Sequence, residues 1–386
     1  MNFNEYTELS QKEYDNILKS RISAEEAYRY LESGLKFRTF SETLMTYYKG
    51  ENLKSLLVEK LLAYNPGMAR DSLAKKVSGW LNGSYSPTDR ETLLQLCFAL
   101  GLDEVSANDF LSCSSDSGFH YRSPRELAYI FALRTGLDYD EALNLYESIP
   151  KIQSGVGEYC KDDMIFTETI FNEFYKVKTK EQFDAFINNN LYMLGNMHNT
   201  AYYYLKTFVK CLQNPDEDYS DVFGEGDNWD NSQRLSIESI TERYLRMNVP
   251  SGADKGKSSP VEKIVKQYWP SATSMKRMCS GTEDVKRKVL ILLYIITEGV
   301  AEGVNYEYVY DDLTPEERFT EHFDRICTML LDCGMSMPDP RNAFDWVALY
   351  AIKMNHQEAM SEELEILLEK IFGTERNLTD VEFADV

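Results

Sequence analysis

One signal recurs often enough along this chain to decide its architecture. Ser123-Pro124-Arg125-Glu126, Ser259-Pro260-Val261-Glu262 and Thr314-Pro315-Glu316-Glu317 each set a hydroxyl residue before a proline, with a glutamate three positions after the hydroxyl. A hydroxyl at that place accepts one of the orphan amides of a helix's first turn, and the glutamate reaches back to the cap residue's own N–H. Proline fits the first helical position because its missing N–H would have no intrahelical partner there. Ser86-Pro87-Thr88-Asp89 is a weaker version, and Ser23-Ala24-Glu25-Glu26 lacks only the proline. Apolar residues then recur at helical spacing, as Leu93, Leu96, Cys97 and Leu100 and again as Leu127, Ile130, Phe131 and Leu133. The apolar run Val289 to Ile296 has the composition of a buried strand. The basic residues before it and the lack of a partner strand predict a buried helix. An all-α, multi-helical fold is expected.

The chain has 386 residues, 43% apolar and 13% aromatic, enough for two or three cored domains. No apolar run approaches the ~20 residues needed to cross a bilayer. The polar N-terminus is neither a signal nor a transit peptide, so a soluble cytoplasmic protein without a membrane partner is expected. Seven scattered cysteines without a C-x-x-C pair fit a reducing compartment. Those cysteines, and His120, His198, His322 and His356, predict no metal site and no cofactor.

Residues 214 to 233 hold seven acidic side chains and no basic one, the pattern of a solvated linker. The calcium-loop alternative lacks the required glycine and the final glutamate. At 251 to 259, Gly256-Lys257-Ser258 matches the end of a phosphate loop, but Ser251 stands where the first glycine belongs. The expected organisation is therefore a helical domain over 1–150, a middle helical domain over 151–213, a linker over 214–258 and a C-terminal helical domain over 259–386.

Two stretches repeat each other's landmarks. Val58-Glu59-Lys60 precedes YNP at 64–66, and Val261-Glu262-Lys263 precedes YWP at 268–270. Gly83 and Gly101 lie 18 residues apart, as do Gly281 and Gly299, and each interval holds an arginine followed by an apolar helix. FHYRSPRELAYIFAL at 119–133 then parallels MSMPDPRNAFDWVALYAI at 335–352. Residues 50–148 and 259–372 read as diverged copies of one helical unit.

Within the first copy, LKSLLVEKLLAY, the turn NPGM, ARDSLAKKVSGWLNG and SPTDRETLLQLCFALGL resemble the Cro and lambda-repressor type of helix-turn-helix over about residues 53–112. That resemblance implies that a helix from Arg70 to Leu81 enters the major groove of double-stranded DNA. Leu73, Val77 and Trp80 would face the core, and Arg70, Ser72, Lys75, Lys76 and Asn82 the duplex. Residues 101–148 resemble helical extensions of similar bacterial regulators.

The second copy adds an electrostatic argument. Nine basic residues between Lys255 and Lys288 face only three acidic ones, a local excess of +6 in a chain whose 41 basic and 63 acidic residues leave −22. A local basic face can hold phosphates despite the overall sign, because charges more than ~10 Å away are screened at 0.1 M salt. Lys276, Arg277, Lys286, Arg287 and Lys288 join the candidate DNA contacts. No nucleophile elbow, zinc-protease motif, dinucleotide fingerprint or kinase set is present, so no catalytic residues and no enzyme are expected. Tyr202-Tyr203-Tyr204 reads as helix packing. Two readings of function remain: a DNA-binding regulator, and an acidic interaction scaffold that meets a basic protein partner.

Overall fold

The computed structural model describes residues 8–19, 22–33, 35–48, 50–87, 89–114, 117–151, 164–195, 199–213, 259–297, 313–353 and 360–372. The acidic stretch 214–233, the lysines at 255 and 257, Cys160, His198 and His356 lie outside them. The described residues form eighteen α-helices, one short 3-10 turn (Leu191–Met193) and no strand. The fold is all-α, and no described helix is long and apolar enough to cross a membrane.

The core is built in two parts. A first unit gathers α3 (Phe40–Tyr47), α4 (Leu53–Tyr64), α5 (Arg70–Leu81), α6 (Arg90–Ala99), α7 (Glu104–Ser114), α8 (Pro124–Thr135) and α9 (Tyr139–Glu147), covered by α10 (Met164–Phe174) and α11 (Lys180–Asn190). A second unit gathers α12 (Asn199–Gln213), α13 (Pro260–Tyr268), α14 (Ala272–Cys279), α15 (Arg287–Ile296), α16 (Pro315–Asp332), α17 (Ala343–Ile352) and α18 (Met360–Phe372). It also takes in the two N-terminal helices, α1 (Glu8–Lys19) and α2 (Ala24–Ser33).

The hydroxyl arm of the start signals acts as its chemistry dictates. The reciprocal glutamate arm forms at Thr314 with Glu317 and is replaced at Ser123, where the Glu126 carboxylate accepts from Arg90 and the His120 amide. Ser123, Ser259 and Thr314 each accept the amide of the glutamate three residues on, with proline at the first helical position. Ser86-Pro87 departs from this pattern. Asp89 caps α6 by accepting the Thr92 amide, so the helix begins at Arg90. Val289 to Ile296 is helical and buried on every side, which explains why its composition carries no amphipathic period. Tyr202 packs in the core, its hydroxyl donating to the Cys279 carbonyl at 3.0 Å.

The two units share their internal joints. Arg90 opens α6 and pairs at 2.8 Å with Glu126, the third residue of α8. Arg287 opens α15 and pairs at 2.8 Å with Asp345, the third residue of α17. In each unit this salt bridge pins the start of one apolar helix to the start of the next but one. Both α5 and α14 end on a left-handed glycine, Gly83 at φ 73° and Gly281 at φ 68°. In each case the following amide turns back to the helix, from Ser84 to Gly79 O and from Thr282 to Arg277 O, both at 2.9 Å.

Candidate nucleic-acid interface

The helix expected to read DNA runs from Arg70 to Leu81. Its apolar positions fall at i, i+4 and i+7, one face of a 3.6-residue helix. Leu73, Val77 and Trp80 are buried there, and Trp80 meets Phe40 of α3 edge-on at 6.3 Å. Burying three such side chains contributes roughly 5–9 kcal/mol before entropy is counted, which fixes which face turns outward. Arg70, Ser72, Lys75, Lys76 and Asn82 are all exposed. Arg70, Lys75 and Lys76 form no ion pair among the described residues. Ala69 caps the helix without a side-chain acceptor, and Asp71 is the one acidic residue in its first turn.

Beside this face runs a shallow groove of ≈ 540 Å³, lined among others by Lys54, Asp71, Lys75, Asn82 and Tyr85. Tyr85 packs against Gly79, where a Cβ would come within 2.2 Å of its ring, and donates to the Lys75 carbonyl at 3.3 Å. Lys54 and Tyr85 escape a sequence reading because one sits on the preceding helix and the other beyond the glycine turn. Gly79, in the middle of the last turn of α5, is the sequence signal that a ring approaches there. Asn82 spends its carbonyl oxygen on the turn, accepting from the Ser84 amide at 3.0 Å and from its hydroxyl at 2.6 Å.

The second unit departs further from expectation. Lys276 and Arg277 are exposed on α14, opposite the buried Met275 and Met278. They do not occupy the positions of Lys75 and Lys76. Counted back from Gly281 and Gly83, Lys276 stands where Ser78 does and Arg277 where Gly79 does. Arg287 is no surface cation at all: it is 5% exposed and gives two hydrogen bonds to Asp345, at 2.8 and 2.9 Å. A lone arginine amid lysines at a helix start looks like part of a basic run, and only the fold brings its carboxylate partner from 58 residues away. Lys286 is half-committed too, paired with Glu283 and donating to Ser274 at 3.0 Å. Burial works against the Glu283 carboxylate, but these partners win and hold its pKa below the usual range. Lys288 is partly exposed. Of the five candidates here, Lys276 and Arg277 are exposed, Lys288 and Lys286 are partly exposed, and Arg287 is buried.

No family model, no curated protein and no solved structure matches this chain.

Proposed function

We propose that α5 reads double-stranded DNA and that the protein is a non-enzymatic regulator. The observation that carries this reading is the division of α5 itself. Its apolar stripe is fully spent on the core, while Arg70, Lys75 and Lys76 stand exposed beside an uncapped helix start. A helix packed across α4 and α3 in this way offers its N-terminal half to a major groove. Lys54 lies beside the groove at α5 and supplies a phosphate contact, as do Lys276, Arg277 and Lys288 on the second unit.

The test is anisotropy titration of full-length protein with a mixed-sequence duplex across a salt series. Binding should weaken steeply with salt, and each lost phosphate contact should lower the log–log slope by about 0.9. K75E/K76E should weaken binding and flatten that slope. Unaltered binding by this variant would place the contact elsewhere. No duplex binding at low salt would end the DNA reading. The net charge of −22 would then favour the second reading, a helical scaffold whose acidic surface meets a basic protein.

A further inference from the structure

The helices α1 and α2 precede the first unit in the chain yet pack on the second, and α10 and α11 precede the second unit yet pack on the first. The two pairs correspond in detail. Each second helix opens on a capping box, Ser23 with Glu26 in α2 and Thr179 with Gln182 in α11. Each first helix surrenders a carbonyl near its end to a cation of the unit it covers. Arg134 donates to Phe174 O of α10, and Lys353 donates to Ile17 O of α1. These two cations stand at one structural position, eleven residues past the helix caps Ser123 and Asn342.

The crossings between units are reciprocal as well. Ahead of α3, the Arg38 amide donates at 2.9 Å to the carbonyl of Arg341, the residue before the cap of α17. Ahead of α12, the Gly195 amide donates at 2.8 Å to the carbonyl of Arg122, the residue before the cap of α8. When a position in one half touches a position in the other and the converse also holds, the two halves are related by a two-fold axis.

We infer that residues 8–147 and 164–372 are two nine-helix halves related by an internal two-fold, each wrapping its first two helices onto the other. We further infer that the ligand is a duplex DNA site made of two inverted half-sites, one for each unit. This second step rests on the DNA reading above. Two-fold readers of the helix-turn-helix class bind half-sites whose symmetry mirrors their own. Here a single chain supplies both readers, α5 and α14, at equivalent places before Gly83 and Gly281. Their outer faces differ, Lys75 and Lys76 against Lys276 and Arg277, so the half-sites are inverted in placement but unequal in sequence. Two ion pairs reinforce the crossing ahead of α3: Arg38 pairs with Asp339 at 2.8 Å, and Arg341 with Glu42 at 3.3 Å.

The experiment selects binding duplexes from a random-sequence pool with the full-length protein and uses the selected duplex as probe. Sedimentation should give one 44.7 kDa chain per duplex, and hydroxyl-radical cleavage two protected patches. K75E/K76E should erase one patch and K276E/R277E the other, each weakening binding by about 10²–10⁴-fold through lost bivalency. Inserting five base pairs between the patches should do the same. A single patch indifferent to K276E/R277E, or two chains per duplex, overturns the inverted-site inference while leaving the DNA reading intact. Failure to select any duplex overturns both. The exchange of helices is read separately by hydrogen exchange: R134A should deprotect the amides of α10, and K353A those of α1. Deprotection in neither would refute it.

Discussion

Replacing Asp345 with asparagine isolates the joint that organises the second unit. The carboxylate accepts two hydrogen bonds from Arg287 and a third from the Asp339 amide at 2.8 Å, and neither charged side chain is more than 6% exposed. D345N keeps the volume and leaves the guanidinium buried without its counter-charge. Breaking such a pair from one side costs about 3–5 kcal/mol. For a unit of this size each kcal/mol moves the melting point by about 2–4 °C, so the shift should be roughly 6–20 °C. Circular dichroism during thermal and urea unfolding measures both quantities. The double variant R287M/D345L, which removes both charges, should recover most of the loss, because paired charges gain little over well-packed apolar groups. The matching change in the first unit, E126Q, should cost less, roughly 1–3 kcal/mol. Arg90 is 26% exposed and keeps the Ser117 and Gly118 carbonyls as acceptors. A loss below 1 kcal/mol in D345N, or a double variant less stable than the single one, would refute this account of the joint.

K75E/K76E should leave the folding stability within about 1 kcal/mol of wild type, since exposed charges contribute little to folding, and calorimetry beside the binding assay checks this. His322 is buried beneath Tyr294, its Nδ1 2.9 Å from the hydroxyl; burial, and then Arg325 and Arg318, bring its pKa down to about 4. The unfolded chain therefore takes up a proton below pH ~6.5 that the native state refuses, and stability falls by roughly 3 kcal/mol between pH 6.5 and 4. H322Q should flatten that slope in pH-dependent urea melts, and an unchanged slope would assign the acid sensitivity to other groups. G83A and G281A should each cost about 1–2 kcal/mol, because φ near +70° strains a side chain. Equal losses in urea melts would bear out the equivalence of the two turns, and a tolerated alanine at either would contradict it.

What the sequence makes legible is what is local. The cap chemistry of Ser123, Ser259 and Thr314, the stripe Leu73, Val77 and Trp80, and the bounds of α5 all follow from contacts within four residues. Arg287 was not legible, because its meaning depends on Asp345, and a charge in a basic stretch looks the same whether solvated or paired. Nor was the placement of α1 and α2. Their apolar residues Ile17, Ala27 and Leu31 call for a covering surface but do not say which, and the surface lies at the far end of the chain.

That separation sets a clock on synthesis. Ser10 donates to Asp339 across a sequence separation of 329, and Trp346 donates to Glu13 across one of 333. At about 5–20 residues per second, the N-terminal helices wait on the order of 15–65 s between leaving the ribosome and meeting their partners. During that interval Ile17, Ala27 and Leu31 have no cover. The first unit also cannot finish until α10 and α11 have emerged. A ribosome that stalls before α10 and α11 emerge therefore leaves two incomplete cores, whereas one that stalls after them leaves the first core closed and only α1 and α2 uncovered.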